Sequence, residues 1–225
     1  MSKQMPSKLL TQIRKELKRL SDKKCRTKLR SQVGKKVKIW GVKTSDRKEI
    51  AAKYYNQFRK NEDIGGAIAL AERLIWTKGF EETHIGIEMI AKASRYFDMH
   101  AFWHIERLLD FMSTGYNTDV LCRDILGKIL IKFKHETRYL YHWASSTNKW
   151  RRRASAVVLL GLIKQGKDVD SGFVIAKKLC GEKNPDVLEA LEVLLKALKK
   201  ADRKRTKKFV EEFQHKLPEY IWSNI

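Results

Sequence analysis

Apolar residues recur three and four positions apart along almost the whole chain, the spacing that gathers them on one face of an α-helix. Ile85, Met89, Ile90 and Ala93 share one such face, and Ile125, Ile129, Leu130 and Phe133 share another. Val157, Leu160, Gly161 and Ile163 make a third, and Val187, Leu191, Leu194, Leu195 and Leu198 a fourth. Capping residues stand where these runs open: Thr44, Thr118 and Asn148 each precede a predicted helix. In Asn184-Pro185 the proline falls just inside a helix start, where its missing N–H costs nothing. Gly65-Gly66 reads as a connection between helices, and the run 199–208 (KKADRKRTKK) as a solvated loop leading into a helix start. Prolines occur at positions 6, 185 and 218, and no strand-turn-strand signature appears, so the predicted class is all-α.

The pattern predicts about a dozen helices of ~10–18 residues joined by connections of ~2–5. Helices of similar length that follow one another without a strand suggest antiparallel pairs, each burying one stripe against its neighbours. The expected architecture is an α-solenoid of about six HEAT-like pairs with a pair period of ~35–40 residues and a concave basic face. Self-similarity between the pairs is weak, and a globular helical bundle is the alternative. With no internal linker, residues 5–217 are expected to form a single domain, flanked by terminal segments 1–4 and 218–225.

Composition adds a partner to this picture. The chain carries 48 Lys+Arg against 26 Asp+Glu, a net charge of +22 over 225 residues. Such an excess repels itself in the compact state, so it points to a polyanion. Lys and Arg on phosphates release counterions and supply sequence-independent affinity for DNA or RNA. The segment 7–20 could lie on a membrane as a basic amphipathic helix, but the excess continues to residue 208 and fits a long polymer better. At 43% hydrophobic residues, with 6 Trp, 7 Tyr and 9 Phe, the chain can bury a core, which excludes a disordered basic tail. Cys25, Cys122 and Cys180 are far apart and odd in number, which favours a reducing compartment over a disulfide framework or a zinc knuckle. The N-terminus lacks the uninterrupted apolar core of a signal peptide, and no stretch of 18 apolar residues could span a membrane. These readings predict an intracellular, cytoplasmic or nucleoid-associated protein (nuclear in a eukaryote), with no membrane partner. Like charge of this size favours a monomer.

The densest chemistry lies at Asn148-Lys149-Trp150-Arg151-Arg152-Arg153, where a cap, four cations and an indole open a helix. Adjacent arginines point in different directions on a helix, so Arg152 and Arg153 cannot both face solvent in the same way. Guanidinium forks bind phosphate in a bidentate manner. An exposed basic turn with Trp150 packed as core would also account for the segment. Asp119 follows Gly115-Tyr116-Asn117-Thr118 and is expected in the first turn of a helix, where the dipole alone justifies a carboxylate. Beside arginines, such a carboxylate can also stabilise a developing cation or position a water. Cys122 is expected to be buried. His100 and His104 stand four apart, yet no glutamate of the HExxH kind and no third ligand accompany them, so neither a metal nor a cofactor is expected. Phe102-Trp103 reads as core, as do Trp40, Trp76, Trp143 and Trp222 by default.

With these residues in place, the chain resembles the DNA alkylation repair family, the HEAT-like alkylpurine DNA glycosylases of the AlkC/AlkD type, over about residues 38–200. Trp40-Gly41-Val42-Lys43-Thr44-Ser45-Asp46-Arg47 is similar to the family's apolar-Gly-apolar-x-Thr-x-x-Arg segment, where a helix start and its arginine approach DNA. The segment 114–127 resembles the family's catalytic helix, with Asp119 at its essential aspartate. Trp150-Arg151-Arg152-Arg153-Ala154 resembles its Trp-x-x-Arg-Ala/Arg motif, which makes Arg153 the arginine of the active-site cleft. The resemblance implies a concave basic face cradling damaged double-stranded DNA and hydrolysis of the N-glycosidic bond of cationic N3- or N7-alkylated purines, without a base-flipping pocket. Asp119 and Arg153 would be catalytic. Lys43, Thr44, Arg47, Tyr116, Lys149, Trp150, Arg151 and Arg152 would meet DNA. The chain departs from the family pattern where tryptophans flank the aspartate: it has Gly115 followed by Tyr116 at one position and Val193 at the other. Tyr116 can replace an aromatic wall and Val193 cannot. The alternatives are therefore a catalytically silent HEAT-like protein that binds unusual or damaged DNA, and a protein-interaction scaffold, which the charge disfavours.

Overall fold

A computed structural model describes residues 5–133 and 137–225, and among them every regular element is helical. The expected terminal segment 1–4 and the Phe133 side chain lie outside what is described. The chain divides into two compact units, Met1–Asn117 and Thr118–Ile225.

The first unit contains α1 (Met5–Arg19), α2 (Lys23–Val33), α3 (Thr44–Lys60), α4 (Ile64–Trp76), α5 (Phe80–Ala93) and α6 (Met99–Glu106), with 3-10 turns at Ser94–Tyr96 and Arg107–Phe111. α5 packs against both α3 and α4 and is buried nearly all round. A Cβ at Gly86 would stand 2.5 Å from the Ala71 carbonyl oxygen, so glycine there is what lets α4 and α5 approach so closely. Gly65-Gly66 lies inside the first turn of α4, not between helices; the Asp63 carboxylate caps that turn by accepting from the Gly66 N–H. The expected short connections fail between α2 and α3, where residues 34–43 form a long non-helical strap that opens with a turn at 35–36. Its own apolar residues explain it: Ile39 joins Leu29 and Phe80 in a buried cluster, and Val42 is fully buried.

α7 (Gly115–Leu121) begins in the first unit and runs on through a π-helical turn, Cys122–Leu126, into α8 (Gly127–Phe133). In that turn the Gly127 N–H reaches back five residues to the Cys122 carbonyl. α7 starts four residues earlier than the sequence suggested. Thr118 is therefore not the cap; the Thr114 hydroxyl accepts from the Asn117 N–H instead. Asp119 consequently lies beyond the first turn, where the helix dipole has largely faded. Its presence needs another reason.

The second unit continues with α9 (Leu140–Ala144), α10 (Lys149–Val157), α11 (Leu160–Ile163), α12 (Val169–Leu179), α13 (Pro185–Ala201), α14 (Arg203–Phe213) and α15 (Glu219–Trp222). α10 packs on α13, α9 and α12, and the apolar stripe of α13 from Val187 to Leu198 is buried against them. Asn148 caps α10 and Asn184 caps α13 with Pro185 in its first turn, as the sequence predicts. Asp202 ends α13 and caps α14 within the charge run 199–208. Three helices are only four or five residues long, well below the expected range, because they are held by neighbours and not by their own propensity. Not every tryptophan is core: Trp76 is 49% exposed and Trp103 44%, and only Phe102 of the Phe102-Trp103 pair is buried. Among the described residues, no helix is long and apolar enough to cross a membrane.

Candidate nucleic-acid interface

In the second unit α10 turns Arg153 inward, where only 5% of its side chain is exposed. Its guanidinium meets Asp119 edge to edge: Nε donates to Oδ1 at 2.7 Å and Nη2 to Oδ2 at 2.8 Å. The remaining nitrogen, Nη1, donates to the Asp186 carbonyl and to Glu189 Oε2, the latter at 2.8 Å. Burial disfavours the charged guanidinium, but the hydrogen bonds and charges of Asp119 and Glu189 outweigh it and raise its pKa above the ordinary arginine value. Arg153 is thus a fixed cation. Asp119 stays partly open, with 20% of its side chain exposed, and Glu189 is 67% exposed. The result is an outward-facing carboxylate pair locked on one buried arginine. This bidentate pairing supplies the reason for Asp119 that its position in α7 does not.

The neighbouring cations have internal partners. Arg152 Nε donates to Glu182 at 2.6 Å, and its Nη1 to the carbonyls of Ser146 and Thr147 at 2.8 and 3.0 Å. Glu182 is partly buried, which would raise its pKa, yet hydrogen bonds from Arg152 and two backbone amides bring it below the ordinary value. Lys149 pairs with Asp186 and lies 4.3 Å over the Trp150 ring, and Trp150 itself is buried. Arg151 is half-buried. Of the cluster that the sequence singles out, Trp150, Arg152 and Arg153 thus hold the fold of α10 and its neighbours. Glu182, Asp186 and Glu189 complete the arrangement, and no local signal in the sequence marked them. Cys122 is fully buried, and that burial pushes its thiol well above the usual range, so it is no nucleophile.

In the first unit, Lys43, Thr44 and Ser45 are exposed at the start of α3, and no side chain caps that end. Arg47 is not on the surface; it is 3% exposed, with its guanidinium 4.9 Å from the Phe80 ring and 5.8 Å from the Tyr116 ring. Nη2 donates to the Thr44 hydroxyl at 2.6 Å, while Nε and Nη1 have no hydrogen-bond partner among the described residues. Burial is the main reason its pKa is lowered. Tyr116 keeps 43% of its surface exposed and stacks on buried His84, ring centroids 5.5 Å apart. His84 is pushed down to about 3 by its burial and then by the charges of Arg47 and Lys48, so it is neutral. The strap before α3 is pinned by Glu81, a fully buried carboxylate that accepts from the Trp40, Gly41 and Val42 amides at 3.0, 2.8 and 3.2 Å. Gly41 holds φ +86, and a Cβ there would come within 2.6 Å of the Asp22 carbonyl oxygen. The Trp40–Arg47 segment therefore depends on a glutamate 39 to 41 residues away that sequence reading missed.

His104 bonds Glu72 and Arg107, and His100 is exposed. Among the described residues, no group of three or more His, Cys, Asp or Glu side chains is placed to hold a metal.

A family model described as DNA alkylation repair enzyme matches residues 13–223. A search of curated proteins finds no significant match. The match covers nearly the whole chain and includes both the Arg47 segment and the Asp119–Arg153 pair: the protein belongs to the DNA alkylation repair enzyme family, which implies DNA as its partner.

Proposed function

We propose that this protein is a DNA glycosylase that hydrolyses the N-glycosidic bond of cationic N3- or N7-alkylated purines in double-stranded DNA. The observation that carries the proposal is the bidentate Asp119–Arg153 pair, a carboxylate held outward at 2.7 and 2.8 Å by a buried, permanently charged arginine. A cationic purine leaves with the electrons of the C1′–N bond, which neutralise its ring. Positive charge then develops on the sugar, water adds at C1′ and its proton passes to solvent. Asp119 would stabilise that charge and orient the water without having to relay a proton. Its rigid mount means no reorganisation as the charge appears. Arg153 would be the positioning residue, and Glu189 would add a second negative charge at the same place. Lys43 and Thr44 at the open start of α3 would meet the phosphates. Tyr116 would offer an aromatic face, with Arg47 beneath it and not on the DNA. HEAT-like pairing, which the consecutive packing of α3, α4 and α5 supports, and action as a monomer, which the like charge favours, belong to the same reading.

A second reading, a family member that binds damaged DNA without excising bases, is favoured by Val193. It is 45% exposed at the position where the family resemblance implies an aromatic wall. Incubation with DNA carrying N7- or N3-methylpurines separates the two. The glycosylase releases free base, and Asp119→Asn, whose amide keeps one acceptor for Arg153 but turns an N–H toward its other donor, loses about 10²–10³ of the rate when assayed at a temperature where circular dichroism shows it folded. Release no greater than that of the variant leaves the silent DNA-binding protein.

A further inference from the structure

One turn beyond each member of the Asp119–Arg153–Glu189 cluster, the chain places Arg123, Val157 and Val193. These three residues open a groove of about 840 Å³ within the second unit. Its size falls in the ~300–1,000 Å³ range of small-ligand sites. The floor is apolar, built from Ile131, Val157, Val158 and Val193. Glycines at 127 and 161 keep it deep: a Cβ at Gly161 would press within 3.1 Å of Ile131 Cδ1, and one at Gly127 within 3.1 Å of the Val158 carbonyl oxygen. The rim carries Arg123, Lys164, Lys196 and Lys200, all exposed, and among the described residues no acidic one lines the groove. Only Lys196 has an acidic partner, Glu192; the other three make no ion pair among the described residues. An apolar slot ringed by cations, three of them without an ion pair among the described residues, is complementary to a flat, weakly polar body that carries anionic groups at its ends.

We infer that this groove takes one unpaired nucleotide of the bound DNA strand, its base on the valine floor and its flanking phosphates on Arg123, Lys164 and Lys200. The inference rests on DNA being the partner and goes beyond it, since a fully paired duplex keeps its bases stacked and cannot present one to a recess. Extruding a base costs least where it has no pairing partner, so the groove would select DNA with a bulged or mispaired position. A valine floor meets the face of a base and offers no hydrogen bond to its edges, so no strong base preference is expected.

The test compares a paired 21-mer duplex with the same duplex carrying one bulged 2-aminopurine, by fluorescence polarisation competition and by the probe's own emission. The wild-type protein should bind the bulged duplex at least fivefold more tightly and change its emission. Val193→Glu puts a like charge into the floor at an exposed helix position and should abolish both the preference and the emission change. Lys164→Glu should lower the preference at least threefold. Lys204→Glu, an exposed cation of α14 outside the groove, should weaken both duplexes by the same factor and keep the ratio. Equal affinity for the two duplexes in the wild type, or a preference that survives Val193→Glu, overturns the inference. Salt-sensitive binding of the paired duplex with no bulge preference would sink the groove alone, whereas binding of neither duplex would sink the DNA partnership with it.

Discussion

His84 and Glu81 show how much of the first unit depends on single polar residues inside it. His84 is 1% exposed and its pKa falls from 6.5 to about 3, so the folded protein holds it neutral while the unfolded chain protonates it near 6.5. The unfolded state therefore binds more protons between those two values, and stability is lost as pH falls through that window. Urea midpoints should drop from pH 7 to pH 5 with a slope approaching ~1.4 kcal/mol per pH unit below 6. His84→Gln should flatten that slope, and a slope that persists in the variant would assign it elsewhere. Glu16 and Glu182, also lowered, add their loss only below the ordinary carboxylate value of 4.5. Glu81 satisfies three buried amides at once, so Glu81→Ala should cost about 3 kcal/mol or more, read as the fall in unfolding free energy. Neither residue carries a sequence signal, because a glutamate or histidine in an amphipathic run reads as a solvent-facing position until its neighbours are known.

Among the elements, the π-helical turn between α7 and α8 and the cap of α10 set where the second unit's chemistry points. Gly127 closes the π turn, and a Cβ there would meet the Cys122 and Val158 carbonyl oxygens at 3.0 and 3.1 Å. Both obstacles are backbone, which cannot swing aside as a side chain can. Gly127→Ala should therefore destabilise by about 1–3 kcal/mol, against the gain usual for Gly→Ala in a helix. A melting temperature that rises in this variant would show that the turn relaxes freely. Asn148→Ala removes the oxygen that accepts from the Trp150 amide at 2.9 Å and should cost about 1 kcal/mol, read in urea midpoints. The cap and its helix were legible in the sequence because capping is a local rule. The π turn was not, since an inserted residue disturbs the apolar period no more than an ordinary imperfect stripe does.

At the scale of the whole molecule, a net charge of +22 makes DNA affinity a function of salt. Lys149, Arg152 and Arg153 have acidic partners inside the protein, so the phosphate contacts must come from the cations left over. If six to ten of those reach phosphates, affinity for a random duplex falls by about 10³–10⁵ between 50 and 200 mM salt. A flat salt dependence in the same titration would remove the charge from the account of binding. The family match over residues 13–223 implies DNA, and the basic excess fits a polyanion of that kind.

The all-helical class, the caps at Asn148 and Asn184, the basic excess and the family were readable in the chain alone. The class, the caps and the excess rest on local periodicity, on a residue next to a helix end, or on a sum over composition, and the family on the resemblance of three short segments. The pairing of Asp119 with Arg153 was only half readable: resemblance put both residues in one site, but the bidentate geometry needs two helices from positions 34 residues apart in sequence. Only the tertiary structure decided which arginines were spoken for, that Arg47 lies under Tyr116 and that a cation-rimmed groove begins beside the carboxylates. The physical reason is that burial and partnership are properties of neighbours in space, and a sequence pattern records only neighbours along the chain.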